Sequence, residues 1–188
     1  MRPGEIVALK ESNCTVPPNT PEAVKEWGEL LLGESRPEVG KGWTEDGTSY
    51  EKRGLKRRRS GATRSVPIPP VLVHLLREHI ATHGTADDGR LFRAARGGRV
   101  ASTEYCDFWE RARKAVLTPS EVKSDLAAVP YSLRHAGVSL WIKSGVDPAE
   151  VAARAGHSIA VLYRFYAKIL KGGQQQSNRL IARALDEG

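Results

Sequence analysis

Tyrosine, arginine and histidine recur in the last third of this chain at spacings that could bring them to one place. Tyr131, Arg134 and His135 fall on one tight turn, His157 sits in a later turn, and Tyr166 stands nine residues beyond it. Upstream, Lys52, Arg53, Lys56, Arg57, Arg58, Arg59 and Arg64 crowd into a short stretch against a single acid, Glu51. Arginine, histidine and tyrosine converging with such a basic ribbon form a set that handles phosphodiesters. A guanidinium fork grips two phosphoryl oxygens at once, which an ammonium point charge cannot do. Taken without the rest, the ribbon also reads as a solvated loop or a localisation tract.

Other motifs carry less. Gly33 and Gly40 are wrongly spaced for a GxxxxGK phosphate loop, and Lys41 is followed by Gly42 rather than Ser or Thr. His74, His79 and His83 lie along one expected helix, but no HExxH order or carboxylate ligand accompanies them, so they read as a solvated face. The segment 147–166 (DPAEVAARAGHSIAVLYRFY) has the outline of a helix-turn-helix, which keeps a DNA-binding module open as a reading.

These residues need elements to position them. Between about Trp27 and Pro70 the dense Gly, Pro, Asp and Ser punctuation and short-range apolar pattern predict a small antiparallel sheet, with strands near 29–35, 50–56 and 63–68. Gly40, Gly42 and Asp46-Gly47 make residues 37–48 a long hairpin connection. After Pro69-Pro70 the period turns helical through Val71, Leu72, Leu75, Leu76 and Ile80, and Gly84 stops it. A second helix starts at Ser102 with Tyr105, Phe108, Trp109, Ala112 and Val116 on one face, and a third follows the capping signal Thr118, Pro119, Glu121. Ser132 opens a helix with Leu133, Leu140 and Trp141 inward; Asp147-Pro148 opens another that stops at Gly156; Ser158 caps a third that reaches Tyr166. After Gly172-Gly173, residues 174–188 hold a last amphipathic helix. The expected fold class is α+β: a mostly helical bundle with a small three-stranded antiparallel sheet near the N-terminus. One domain over 1–188 is expected, with the sheet region at 27–70, a helical core at 71–171 and the C-terminal helix after it.

Composition agrees with a stable domain that meets an anion. The 188 residues carry 29 Lys+Arg and 22 Asp+Glu, a formal charge of +7, a balance frequent in nucleic-acid-binding domains. Cys14 and Cys106 lie far apart without CxxC spacing, which excludes a disulfide scaffold and suits reduced thiols in a cytoplasmic protein. No apolar run approaches the roughly 18 residues of a membrane span, so no membrane partner is expected.

With those residues in view, the sequence resembles the tyrosine recombinases, the phage-type integrases. The carrying residues are Tyr131-Ser-Leu-Arg134-His135, then Gly156-His157-Ser158, then Tyr166-Ala-Lys, at the mutual spacings of that family's closing motifs. Upstream, Arg2-Pro3-Gly4-Glu5 is similar to its first-arginine segment, and Lys56, ahead of Thr63-Arg64-Ser65-Val66-Pro67, is similar to its hairpin lysine. The resemblance implies that Tyr166 attacks a DNA phosphodiester to give a 3′-phosphotyrosyl intermediate and a free 5′-hydroxyl, with no cofactor, no metal and no small-molecule substrate. It implies that Arg2 and Arg134 clamp the non-bridging oxygens, that Lys56 protonates the leaving oxygen, and that His157 donates to the phosphate. Arg57, Arg58, Arg59 and Arg64 then read as DNA contacts, and His135 as a packing or hydrogen-bonding residue beside the site. Tyr163, a rival nucleophile three residues before Tyr166, is expected to pack.

The pattern departs from the family in two places. Tyr131 stands three residues before Arg134, where the family most often has histidine, and a phenol is a poor base near neutral pH. These enzymes also carry a helical domain ahead of the catalytic one, so the chain is expected to be a catalytic domain truncated at its N-terminus. The implied partners are double-stranded DNA and further copies of the chain, a tetramer joined through the last helix. Two other functions share these features: a DNA-binding remnant lacking efficient recombination, and a single-subunit relaxing topoisomerase with the same nucleophile.

Overall fold

The computed structural model describes residues 1–44, 47–171 and 174–186, and the side chains of 167–171 and 176 lie outside that description. The chain divides into two compact units, Met1–Tyr131 and Ser132–Gly188.

The first unit is organised by a three-stranded antiparallel sheet. A one-turn helix α1 (Pro3–Ile6) precedes β1 (Cys14–Thr15), β2 (Gly28–Leu32) and β3 (Arg64–Ile68), which lie side by side in that order. β2 pairs with β3 from Gly28 opposite Ile68 to Leu32 opposite Arg64. The alternation of a half-buried strand follows: Leu30, Leu32, Val66 and Ile68 turn inward while Glu29 and Leu31 face out. Pro67 has no N–H to give a ladder and is tolerated because β3 lies at the sheet's edge. Helix α2 (Pro70–His83) contributes Val73 and Leu76 to a core with Leu9, Leu30, Leu32, Leu55, Val66, Ile68 and Leu91. A methyl group on Gly28 would lie 2.7 Å from the Thr15 carbonyl oxygen and 2.9 Å from Val73 Cγ2, so the close approach of β1, β2 and α2 requires glycine there.

The expected class, α+β with a small sheet and a helical remainder, is what the structure shows, but one strand is elsewhere. Residues 50–56 form no strand; they make only isolated bridges, Ser35 with Arg53 and Glu38 with Tyr50. Lys52, Arg53 and Gly54 are exposed, and Leu55 is the segment's one buried apolar side chain, so no inner face exists to hold a strand against the core. The third strand is instead the two-residue β1, too short to leave a periodic signal. Residues 37–48 therefore do not connect two strands of the sheet; they lie within the 33–63 link between β2 and β3, with Lys41–Trp43 in a 3₁₀ turn, and Glu45 and Asp46 lie outside the described residues.

Helices α3 (Ser102–Val116) and α4 (Pro119–Lys123) complete this unit. Thr118 and Glu121 form the expected reciprocal cap: Glu121 N–H donates to Thr118 Oγ1 at 3.4 Å and Thr118 N–H to Glu121 Oε2 at 2.9 Å. The apolar face expected on α3 is not buried, since Phe108 and Val116 are exposed. Polar side chains tether the helix instead: Trp109 Nε1 donates to the Ala127 carbonyl at 2.8 Å, and Arg113 reaches the carbonyls of Val122, Ser124 and Leu126. On α2, likewise, Val71 and Leu75 face outward while Val73 and Leu76 are inside.

The second unit consists of α5 (Ser132–Lys143), α6 (Pro148–Ala155), α7 (Ile159–Lys171) and α8 (Gln174–Asp186). Its core gathers Val138, Ile142, Val151, Ala152, Ala155, Leu162 and Tyr166. Leu133 and Leu140 were expected inward on α5 but are exposed; the inward stripe runs at four-residue steps through Arg134, Val138 and Ile142, with Trp141 partly buried at its margin. Asp147 caps α6 by accepting from Ala149 N at 2.8 Å and Glu150 N at 3.2 Å. Ser158 Oγ accepts from Val161 N at 3.3 Å, and α7 continues past Tyr166. Gly172-Gly173 lies outside the described residues. Among the described residues no helix is long and apolar enough to cross a membrane.

Candidate active site

The second unit draws four of the predicted residues into two adjoining pairs. Arg134 leads the inward stripe of α5 and is 8% exposed. Its Nη2 donates to the carbonyl of Ala155, the last residue of α6, and lies 2.7 Å from His157 Nε2. The end of a helix leaves carbonyls without intrahelical donors and concentrates negative potential, which suits a guanidinium. Gly156 creates this geometry: its left-handed conformation (φ 63°, ψ 42°) ends α6, and His157 N–H then donates back to the Ala152 carbonyl at 2.9 Å. That turn sends the imidazole toward Arg134. A guanidinium only donates, so His157 Nε2 accepts and Nδ1 is the ring nitrogen left to carry hydrogen.

The second pair joins α5 to α7. Tyr166 sits one turn after Leu162, which is fully buried, and is itself only 5% exposed. Its hydroxyl lies 2.8 Å from His135 Nδ1, with the rings tilted by 35° and their centroids 6.1 Å apart. Adjacent residues on a helix point about 100° apart. Arg134 is therefore directed to the end of α6 while His135, whose residue is exposed, reaches Tyr166. Tyr163 does not pack as expected: it is 50% exposed. The sequence motif supplied all four residues, but not the division into Arg134 with His157 and His135 with Tyr166. Lys168, close behind the tyrosine, has its side chain outside the described residues.

The first unit holds the others. Arg2 precedes α1, and Glu5, three residues on, is 1% exposed. Glu5 Oε2 accepts from Arg2 N–H at 2.7 Å and from Arg64 Nη2 at 2.8 Å, while Oε1 accepts from Arg2 Nη1 at 3.0 Å. Arg64 thus differs from the ribbon it was grouped with. It is 7% exposed in β3 and holds Glu5, the placement of an internal ion pair rather than of a surface phosphate contact. Its position in the inward register of β3, with Val66 and Ile68, explains the burial. Lys56, Arg57, Arg58 and Arg59 remain exposed on the loop before β3, anchored by Leu55, with Arg57 in the left-handed region at φ 59°. Tyr131 is 38% exposed immediately before α5.

Glu5 is the residue whose role the sequence did not disclose, and its chemistry gives a stability prediction. Burial raises its carboxyl, but the Arg2 N–H and the guanidinium groups of Arg64 and Arg2 outweigh that and hold it below the usual glutamate value of 4.5. A lowered folded-state value stabilises fully above the unfolded value and loses that contribution as pH falls through the folded one. Glu5→Gln should cost about 3 kcal/mol in urea unfolding at pH 7, because it removes the negative charge opposite the buried Arg64 guanidinium. Acidification below the glutamate range should then destabilise the variant less than the parent. Equal acid limbs for the two proteins would refute the assignment.

No family model matches the chain, and no curated protein matches it. Solved structures do. The Tn1549 transposon integrase in complex with circular intermediate DNA is similar at a TM-score of 0.67 and 16% identity, over 96% of this chain and 56% of that one. The same integrase with transposon right end DNA gives 0.63 at 16% identity, over 88% and 50%. The XerH site-specific recombinase bound to a palindromic difH substrate gives 0.60 at 15% identity, over 94% and 41%. The chain therefore spans about half the length of these proteins or less, and at such identities the likeness is one of fold.

Proposed function

We propose, from a chain with the fold of tyrosine recombinase catalytic domains, that this protein cuts and rejoins duplex DNA through a covalent tyrosyl intermediate, in site-specific recombination or integration. The observation that carries the reading is the pair of contacts in the second unit, Arg134 with His157 and His135 with Tyr166. A phenol nucleophile held beside an imidazole, next to a buried guanidinium, is what transesterification of a phosphodiester requires. Tyr166 Oη attacks phosphorus, the bond to the 5′-oxygen breaks, and the energy of the cleaved ester is kept in the 3′-phosphotyrosyl link. A 5′-hydroxyl from another strand then reverses the step.

In this reading Arg134 and Arg2 stabilise charge on the non-bridging oxygens, and His157 donates to the phosphate through Nδ1. Lys56 protonates the departing 5′-oxygen, and Tyr131 hydrogen-bonds the phosphate. The exposed Arg57, Arg58 and Arg59 bind backbone phosphates, which makes affinity fall steeply with salt. Arg64 is assigned to Glu5 and not to DNA. Helix α8 presents Leu180, Ile181 and Leu185, between 53% and 76% exposed, as the surface that docks a further copy of the chain on DNA.

The test is capture of DNA on a suicide substrate. The chain is incubated with a pool of nicked duplexes from which the short fragment bearing the new 5′-hydroxyl diffuses away after cleavage, and the products are separated under denaturing conditions. A protein–DNA adduct that survives denaturation is expected. Salt-sensitive binding with no adduct from any duplex would instead identify a DNA-binding remnant.

A further inference from the structure

We infer that His135 is the catalytic base that takes the proton from Tyr166 as its hydroxyl attacks phosphorus. This rests on the reading above and adds the residue that activates the nucleophile. The requirement is chemical: a phenol is a weak nucleophile until its proton leaves, and the acceptor must lie within hydrogen-bond reach, roughly 2.6–3.2 Å. His135 Nδ1 is 2.8 Å from Tyr166 Oη. Two other candidates are poorly suited. His157 has its Nε2 engaged by Arg134 at 2.7 Å, and Tyr131, the residue three before Arg134, carries a second phenol where a base would be needed.

The helix supplies the rest. α5 turns Arg134 toward the end of α6 and His135 toward α7, so consecutive residues take the charge and the proton of one reaction. Tyr166 is buried while the His135 residue is exposed, so a proton accepted from an internal phenol can be passed to water. In the forward step the Tyr166 O–H proton moves to His135 Nδ1, the Oη–P bond forms and the P–O5′ bond breaks. The 5′-oxygen takes its proton from the leaving-group acid, Lys56 in the proposed assignment. On rejoining, His135 returns a proton to Oη. No oxidant, reductant or metal enters the balance.

The experiment measures single-turnover adduct formation on the nicked duplex by the parent chain, His135→Ala and His135→Asn, with thermal melting of each. Asparagine keeps a polar side chain beside Oη but cannot take up the proton. Both variants should melt near the parent and cleave about 10²-fold more slowly or worse. Added imidazoles should restore cleavage by His135→Ala in proportion to their basicity. A substrate with sulfur at the 5′-bridging position, whose thiolate leaves without protonation, should not restore it. Parental rates in His135→Asn would overturn the inference, as would rescue by the bridging sulfur in place of imidazole. Absence of adduct from the parent chain is a different result and refutes the proposed function itself.

Discussion

Tyr166→Phe should abolish covalent capture of DNA while leaving the protein folded and able to bind. The substitution removes one oxygen, the atom that would become the ester link, and retains a ring that packs with Leu162, Val151 and Ala155. Loss of the hydrogen bond to His135 Nδ1 should lower stability by about 1 kcal/mol. Nicked-duplex capture on denaturing gels, paired with a salt titration of binding, reads both quantities. Tyr163→Phe is the control, because that side chain is 50% exposed and stands off the core, and it should capture DNA at the parental rate. An adduct that persists in Tyr166→Phe and disappears in Tyr163→Phe would transfer the nucleophile to the earlier tyrosine and remove the basis for His135 as its base.

The second large effect belongs to Arg134. Arg134→Lys keeps a positive charge but not the planar fork, and should slow single-turnover capture by about 10²- to 10³-fold, the range for removing one preorganised donor from a reacting oxyanion. Arg134→Ala should do more, because it also withdraws the donor held by the Ala155 carbonyl and His157 Nε2. Hydrogen bonds to a charged group are worth about 1.5–3 kcal/mol, so thermal unfolding should show a loss in the alanine variant larger than in the lysine variant. Parental capture rates in Arg134→Lys would mean that the guanidinium serves the end of α6 and not the reaction.

These effects concentrate in the part of the chain that was most legible in sequence. The second unit consists of short helices whose limits are local events: Asp147 at a cap, Gly156 in the left-handed region, Ser158 before α7. Arg134, His157 and Tyr166 each lie a fixed number of residues from a helix end, so the same local signals set their places along the chain. The way the side chains pair was not legible, since it depends on the angle at which α5, α6 and α7 pack. Leu133 and Leu140 show the same limit: both are apolar, and neither lies on the stripe that runs through Val138 and Ile142. The first unit was harder to read. β1 is defined only by its pairing with Leu30 and Glu29, contacts made across a long stretch of chain. Residues 50–56 were expected as a strand from the short-range apolar pattern, but of their apolar side chains only Leu55 has a core to enter. Arg64 was read by its charge among neighbouring cations, whereas its register in β3, opposite Leu32, decides where it points.

Tyr166 belongs to the hydrophobic core of its own unit. A ring that fills a core cannot swing outward without opening a hole behind it, at roughly 24 cal/mol for each Å³ left empty. The reach of the nucleophile is therefore short, and on the proposed function the DNA must be brought to the phenol rather than the phenol extended to the DNA. The tyrosine then works as the fixed end of a ruler. Which phosphate is cut is settled by where the duplex is gripped, so errors in the cut position would arise from slippage of the DNA and not from wandering of the side chain.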